Sequence, residues 1–225
     1  MERLDDLQRW WLALSAIQVE AFGGSHTALR MDDDPPGPWQ EALRDSWNVT
    51  SPETLLDTLK WLMTSGHAQE YEKYLGHLPF SWDLGRFSWV VRASVSAGFV
   101  HDPATAWELF EPITAPLVCC YNSWRGYGED YLAARRIWLG DRMNDPKAAA
   151  QHDRYVRSVD RLLDPANRQS PWQIVEWATP VGYLVVQRTQ PAAVPEFAGH
   201  HDQQAGGFER LQSRVSDQIR HRRSH

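Results

Sequence analysis

The chain has 225 residues and a net charge of −6, with 42% hydrophobic and 23% charged residues. These are the values of an ordinary globular protein, long enough to bury about 70% of its unfolded surface. An acidic chain without clustered lysine and arginine does not attract phosphate backbones, which argues against nucleic acid as a partner. Twelve Trp residues are a marked excess and predict a core rich in indole rings.

The amino terminus is acidic where a secretory signal would be basic, and no apolar run reaches the ~18 residues of a membrane span. We therefore predict a cytoplasmic protein without a membrane partner. Its two cysteines, Cys119 and Cys120, are adjacent and cannot join distant segments by a disulfide. Their apolar surroundings predict small buried side chains, with a redox or metal role as the alternative.

In the first third of the chain, apolar spacing predicts a helix over residues 3–22 that ends at two glycines. An acidic, proline-rich connector follows at 31–38, and its three adjacent aspartates suggest either a metal site or a solvated loop. Proline-rich flanks provide no rigid geometry for coordination, which favours the loop. Ser51-Pro52, a good N-cap followed by proline, then predicts a helix over 52–65.

The middle of the chain continues as helices. A helix is predicted from Ser81 or Trp82 to Gly98, and a second over 103–119 with kinks at its two prolines. Ser123 is expected to cap a helix that Gly140 closes, and Asp145-Pro146 to open one over 146–163.

The pattern changes after Pro171, where β-branched and aromatic residues on both sides of a turn predict a β-hairpin over about 172–188. Residues 189–225 are polar and predict a poorly ordered tail. The fold expected is mainly α: residues 1–188 form a single helical domain of six or seven helices with this small C-terminal hairpin.

Residues 47–138 contain a series of short motifs of glycine, polar and aromatic residues: Gly66-His67, Trp82-Asp83-x-x-Arg86, Gly98, Trp107, Ser123-Trp124 and Arg135-x-x-Trp138. This stretch resembles the bacterial domain-of-unknown-function family 1266, with one departure, since Ala134 stands where the family has glycine before the arginine. The resemblance implies an uncharacterised bacterial protein. It implies no reaction, because the family has no established activity.

Asp83 and Arg86 form the sharpest local signal, since a spacing of three residues places them on one helix face. The simpler interpretation is a structural ion pair between helices, because two partly buried charges stabilise each other. The functional interpretation is a pocket in which this pair converges with four other polar side chains, so that the candidate site consists of His67, Asp83, Arg86, Ser123, Asp130 and Arg135.

In such a pocket Arg86 and Arg135 would bind an anion and His67 would transfer a proton near neutral pH. For His67 a simpler role at a helix C-terminus is favoured, because an imidazolium is stabilised beside exposed carbonyl groups. Exposed indoles would suit a sugar-binding platform instead, but five of the Trp residues lie in predicted helices and are expected in the core: Trp61, Trp89, Trp107, Trp124 and Trp138.

The chain contains no zinc-protease, zinc-ribbon, hydrolase-elbow or phosphate-loop motif, so we predict neither a metal nor a cofactor. The function expected is a non-catalytic cytoplasmic module that binds a protein partner or a small anionic ligand. The alternative is an enzyme or toxin-like hydrolase acting on a small anionic substrate through the candidate residues.

Overall fold

The computed structural model of the chain describes residues 4–189, and within them every regular element is helical. The prediction of a mainly α fold is confirmed. The helices are α1 (Asp6–Leu14), α2 (Ala16–Phe22), α3 (Pro36–Trp47), α4 (Pro52–Thr64), α5 (Ala68–Leu75), α6 (Phe80–Ser96), α7 (Pro103–Glu108), α8 (Glu111–Cys120), α9 (Trp124–Leu139), α10 (Pro146–Leu163), α11 (Pro171–Ile174) and α12 (Thr179–Thr189), with a 3₁₀ turn at Gly140–Asn144.

Helix starts follow the predicted caps. The Ser51 and Ser123 side chains accept backbone N–H groups of α4 and α9, and Asp145 does so for α10. Each of these oxygens satisfies an amide that has no partner inside its own helix. The caps therefore fix where α4, α9 and α10 begin.

Two predicted helices are each divided in two. The helix expected over 3–22 breaks at Ser15, whose hydroxyl donates to the carbonyl of Leu12 and accepts from the buried guanidinium of Arg92. The helix expected over 103–119 breaks before Pro112, which lies in the first turn of α8. A hydroxyl that competes for backbone groups and a proline without an N–H account for these breaks.

Two helices lie in segments for which no regular element was predicted. The first is α3, which begins inside the proline-rich connector because Pro36 suits the first helical position. The second is α5, which follows Gly66-His67. Both helices bury few residues, Leu43 on α3 and Ala68 and Tyr71 on α5.

The predicted hairpin over 172–188 is wrong, since α11 and α12 occupy this segment. The indole N–H of Trp172 donates to the carbonyl of Ala13 and that of Trp177 to the carbonyl of Tyr121. The aromatic residues therefore anchor the segment to the helices beneath it, and tertiary packing overrides their preference for strands.

The core is built around α6, which packs against α1, α3, α4, α8 and α9. Arg92, on α6, is fully buried and donates to Ser15 Oγ and to the carbonyls of Ser25 and Ala28. Burial lowers the pKa of Arg92 to about 9, so it stays charged at neutral pH. These bonds fix the 23–31 loop and with it the start of α3.

Cys119 and Cys120 are both exposed, which corrects the prediction that they are buried. They lie in the last turn of α8, whose contact with the core is made by Ile113, Thr114 and Leu117. Among residues 4–189 no helix combines the length and apolar character that a membrane span requires. The tail predicted over 189–225 lies, apart from its first residue, outside the described part of the chain.

Candidate functional site

A cavity of about 1180 Å³ opens between α3, α4, α6, α9 and α10. Five indoles line it, at Trp47, Trp61, Trp82, Trp89 and Trp138, together with several polar and charged side chains. Its size slightly exceeds the usual range of small-molecule sites, about 300–1,000 Å³, and such sites combine aromatic walls with polar groups that orient the ligand. The cavity is therefore a candidate small-molecule site.

The helices α6 and α9 each contribute three residues to this cavity at the same spacing. An aromatic residue is followed four positions later by an arginine and seven positions later by a tryptophan. On α6 the pattern is Trp82, Arg86 and Trp89, and on α9 it is Tyr131, Arg135 and Trp138. Positions i, i+4 and i+7 lie on one face of a helix. Two packed helices thus each present an arginine between two rings.

Asp83 does not line the cavity but lies directly behind its wall, 2% exposed. Ala68 is the first residue of α5, and its backbone N–H donates to Oδ2 of Asp83 at 2.7 Å. A carboxylate at a helix N-terminus satisfies an orphan amide and is favoured by the helix dipole. Asp83 on α6 is therefore the N-terminal cap of α5, whose own cap residue, His67, makes no side-chain cap bond.

Gly66 provides the space for this carboxylate. A Cβ atom at residue 66 would overlap both carboxylate oxygens of Asp83. Glycine is therefore required at residue 66, because the side chain of Asp83, 17 positions later on α6, lies against the backbone at this point.

Arg86 is the charge partner of Asp83, as the spacing predicted. Its Nη2 donates to Asp83 Oδ1, its Nε donates to the carbonyl of Trp82, and its guanidinium lies 4.3 Å from the centre of the Trp82 ring. Burial alone would raise the pKa of Asp83, but the His67 side chain, the charge of Arg86 and the backbone N–H groups of Ala68 and His67 hold it below the usual value. Asp83 is therefore ionised at neutral pH.

His67 lines the cavity and does not cap α4, which ends at Thr64. Its Nδ1 lies 3.0 Å from Nη2 of Arg86. The same nitrogen lies 3.9 Å from Oδ1 of Asp83, so His67 borders the Asp83–Arg86 pair. The predicted position at a helix C-terminus is corrected, because His67 directly precedes the first turn of α5.

Arg135 is 2% exposed and also lines the cavity. Its guanidinium lies 4.1 Å from the centre of the Tyr155 ring and donates to His152 Nδ1 at 3.2 Å and to Gln151 Oε1 at 3.3 Å. Burial, with a smaller effect of the Arg135 charge, lowers the pKa of His152, so this neighbour is neutral. No carboxylate of the described residues lies within 4.0 Å of Arg135.

Ser123 and Asp130 do not reach the cavity. The Ser123 hydroxyl accepts the backbone N–H of Gly126 as the cap of α9. Asp130 is buried and accepts from Ser81 Oγ at 2.6 Å, from the Tyr121 hydroxyl and from His77 Nε2 at 2.7 Å. Of the six candidate residues, His67, Arg86 and Arg135 therefore meet in one cavity, with Asp83 behind Arg86.

The contact between His77 and Asp130 predicts a pH dependence. The bond to Asp130 raises the pKa of His77, so its stabilising effect is complete below the unfolded pKa of about 6.5 and is lost as pH rises through the folded value. The wild type should therefore lose a little stability relative to His77→Gln between pH 6 and 8. Since 58% of the imidazole is exposed, we expect a change of at most ~1 kcal/mol in urea unfolding. An unchanged difference between the two proteins over this range would contradict the pairing.

The tryptophans follow the core prediction only in part. Trp124 is buried, whereas Trp61 and Trp138 are 39% and 37% exposed and line the cavity together with Trp89. The repeated aromatic and arginine spacing on α6 and α9 was visible in the sequence and would have identified this wall.

Residues 76–177 match the family DUF1266, described as a protein of unknown function. This match confirms the resemblance predicted from the sequence, and it includes Asp83, Arg86 and Arg135 but not Gly66 or His67. Comparisons with curated proteins and with solved structures give no match.

Proposed function

We propose that this chain, with its DUF1266 segment, is a non-catalytic binding module that holds one small ligand in the aromatic cavity through an anionic group. The observation that carries the proposal is Arg135, a buried cation that lines the cavity and has only neutral described partners. A buried charge without a counter-ion lowers stability, and a bound anion offsets this cost.

A small ligand suits the site better than a protein partner. The aromatic groups line a concave space, whereas a docking surface for a protein presents them on a broad, flatter patch. Two exposed, unpaired thiols, Cys119 and Cys120, support a reducing compartment such as the bacterial cytoplasm.

A hydrolase acting on an anionic substrate is the alternative. It would use His67 as a base, yet Ser123, the nucleophile among the candidate residues, caps α9 and does not line the cavity. Native mass spectrometry of the protein from its own host separates the two functions: an intact ligand that is retained supports binding, whereas turnover of that ligand by the purified protein supports catalysis.

The anion can be tested by thermal unfolding. Benzoate or inorganic phosphate in excess should raise the melting temperature by a few degrees over chloride at matched ionic strength, because a ligand that binds only the folded state stabilises it by RT ln(1 + [L]/Kd). Arg135→Gln should abolish this rise. Arg136→Gln, which changes an exposed arginine next to it on α9, should keep it. An equal rise in both variants would contradict the proposal.

A further inference from the structure

We infer that the ligand carries a single negative charge on a flat aromatic body, and that Arg135 rather than Arg86 holds this charge. The inference rests on the proposed function and specifies its ligand. It replaces the two-arginine clamp expected from the sequence by a site with one charged contact.

The two helices that share the aromatic and arginine pattern differ in the residue that stands three positions before the arginine. Three residues before Arg86 stands Asp83, which pairs with it; three residues before Arg135 stands Leu132. Side chains three apart on a helix are neighbours, so this position decides which arginine has a counter-ion three residues before it in its own helix. The wall formed by α6 and α9 therefore has two guanidinium groups and one carboxylate.

No other acidic group of the described residues compensates Arg135. Asp130 is bonded to His77, Ser81 and Tyr121, and Asp153 is exposed next to the neutral His152. At the cavity mouth Arg44 pairs with Asp45 at 2.9 Å, and Asp57 is exposed. The buried wall thus has an excess of one positive charge, which one negative charge balances and two would exceed.

The remainder of the wall indicates the body of the ligand. Five indoles and the rings of Tyr131 and Tyr155 offer flat apolar faces, and aromatic pairs gain stability beyond the area that they bury. Tyr155 covers one face of the Arg135 guanidinium. Edge N–H groups of that guanidinium are the donors for an oxyanion, as in arginine–carboxylate pairs. An aromatic carboxylate has both features.

Three naphthalene probes test the charge while the ring stays constant: naphthalene-2-carboxylate with one negative charge, 2-naphthyl phosphate with close to two at pH 8, and the neutral naphthalene-2-carboxamide. Titration calorimetry on the full chain should give the lowest Kd for the carboxylate. Its margin over the carboxamide should be about tenfold or more, the value of a hydrogen bond to a charged group in a site shielded from water.

Substitutions on α9 test whether Arg135 is the residue that binds the negative group of the ligand. Leu132→Asp reproduces the spacing of Asp83 and Arg86, and should remove most of the advantage of the carboxylate by supplying an internal counter-ion. The isosteric Leu132→Asn should retain it. Arg135→Gln should weaken the carboxylate about tenfold and leave the carboxamide within about twofold. Arg135→Gln still tests the inference if the charge in Leu132→Asp prevents folding.

The outcomes distinguish a failure of the single-charge inference from a failure of the proposed binding function. If the phosphate binds more tightly than the carboxylate, or the carboxamide equally tightly, the single-charge inference is overturned while the binding function stands. If Arg135→Gln retains the full affinity for the carboxylate, the assignment to Arg135 is overturned. If none of the three probes binds, both the inference and the proposed function fail.

Discussion

Replacing Gly66 by alanine is expected to lower the free energy of unfolding by about 3–5 kcal/mol, the cost of leaving a buried charge without its partners. The added methyl group would occupy the space of the Asp83 carboxylate. If Asp83 moves, it loses the N–H of Ala68 and its contact with Arg86; if the loop moves, α5 loses its cap. Urea unfolding followed by circular dichroism measures this change.

Gly182→Ala is the matched control. Gly182 lies in the first half of α12, and a Cβ there meets no atom within 4 Å. Alanine at this position should leave stability unchanged or raise it by ~0.5–1 kcal/mol. If Gly66→Ala unfolds at the same urea concentration as Gly182→Ala, Asp83 is not confined as the structure has it.

The parts of the fold that could be predicted from sequence depend on neighbouring residues. Caps such as Ser51 and Asp145 act on amides two or three positions away, so their effect is readable in the chain itself. The pairing of Asp83 with Arg86 is predictable for the same reason, since one helix turn brings them together.

What could not be predicted depends on contacts between distant segments. The role of Asp83 as the cap of α5 requires the approach of two helices, and Trp172 becomes part of a helical anchor only because the carbonyl of Ala13 is in place to accept its N–H. Local preferences for a strand, strong in the 172–188 segment, lose to such contacts. Similarly, the sequence does not show that Ser123 is used as the cap of α9 while Arg135, within α9, lines the cavity.

Arg86→Ala should lower the free energy of unfolding by about 3 kcal/mol or more, whereas Arg136→Ala on the exposed face of α9 should change it by less than ~0.5 kcal/mol. The loss arises because Asp83 remains buried and charged without its cation. Thermal or urea unfolding of the two variants measures the difference, and equal stability would show that the pair contributes nothing to folding.

A double variant separates the stranded charge from lost packing over Trp82 and Trp47. Asp83→Asn keeps an oxygen for the N–H of Ala68 but removes the charge, so adding it to Arg86→Ala should restore part of the stability lost in the single variant. If the double variant is as unstable as the sum of the single changes at pH 7, Arg86 stabilises the fold through its stacking on the indoles, and Asp83 acts through the α5 cap alone.

Acid should reduce the stability of the wild type relative to that of Asp83→Asn. Folding lowers the pKa of Asp83, so the stabilising effect of its charge is present above the unfolded pKa of about 3.9 and is lost as pH falls through the folded value. A stability difference that does not change with pH would contradict this role of the charge.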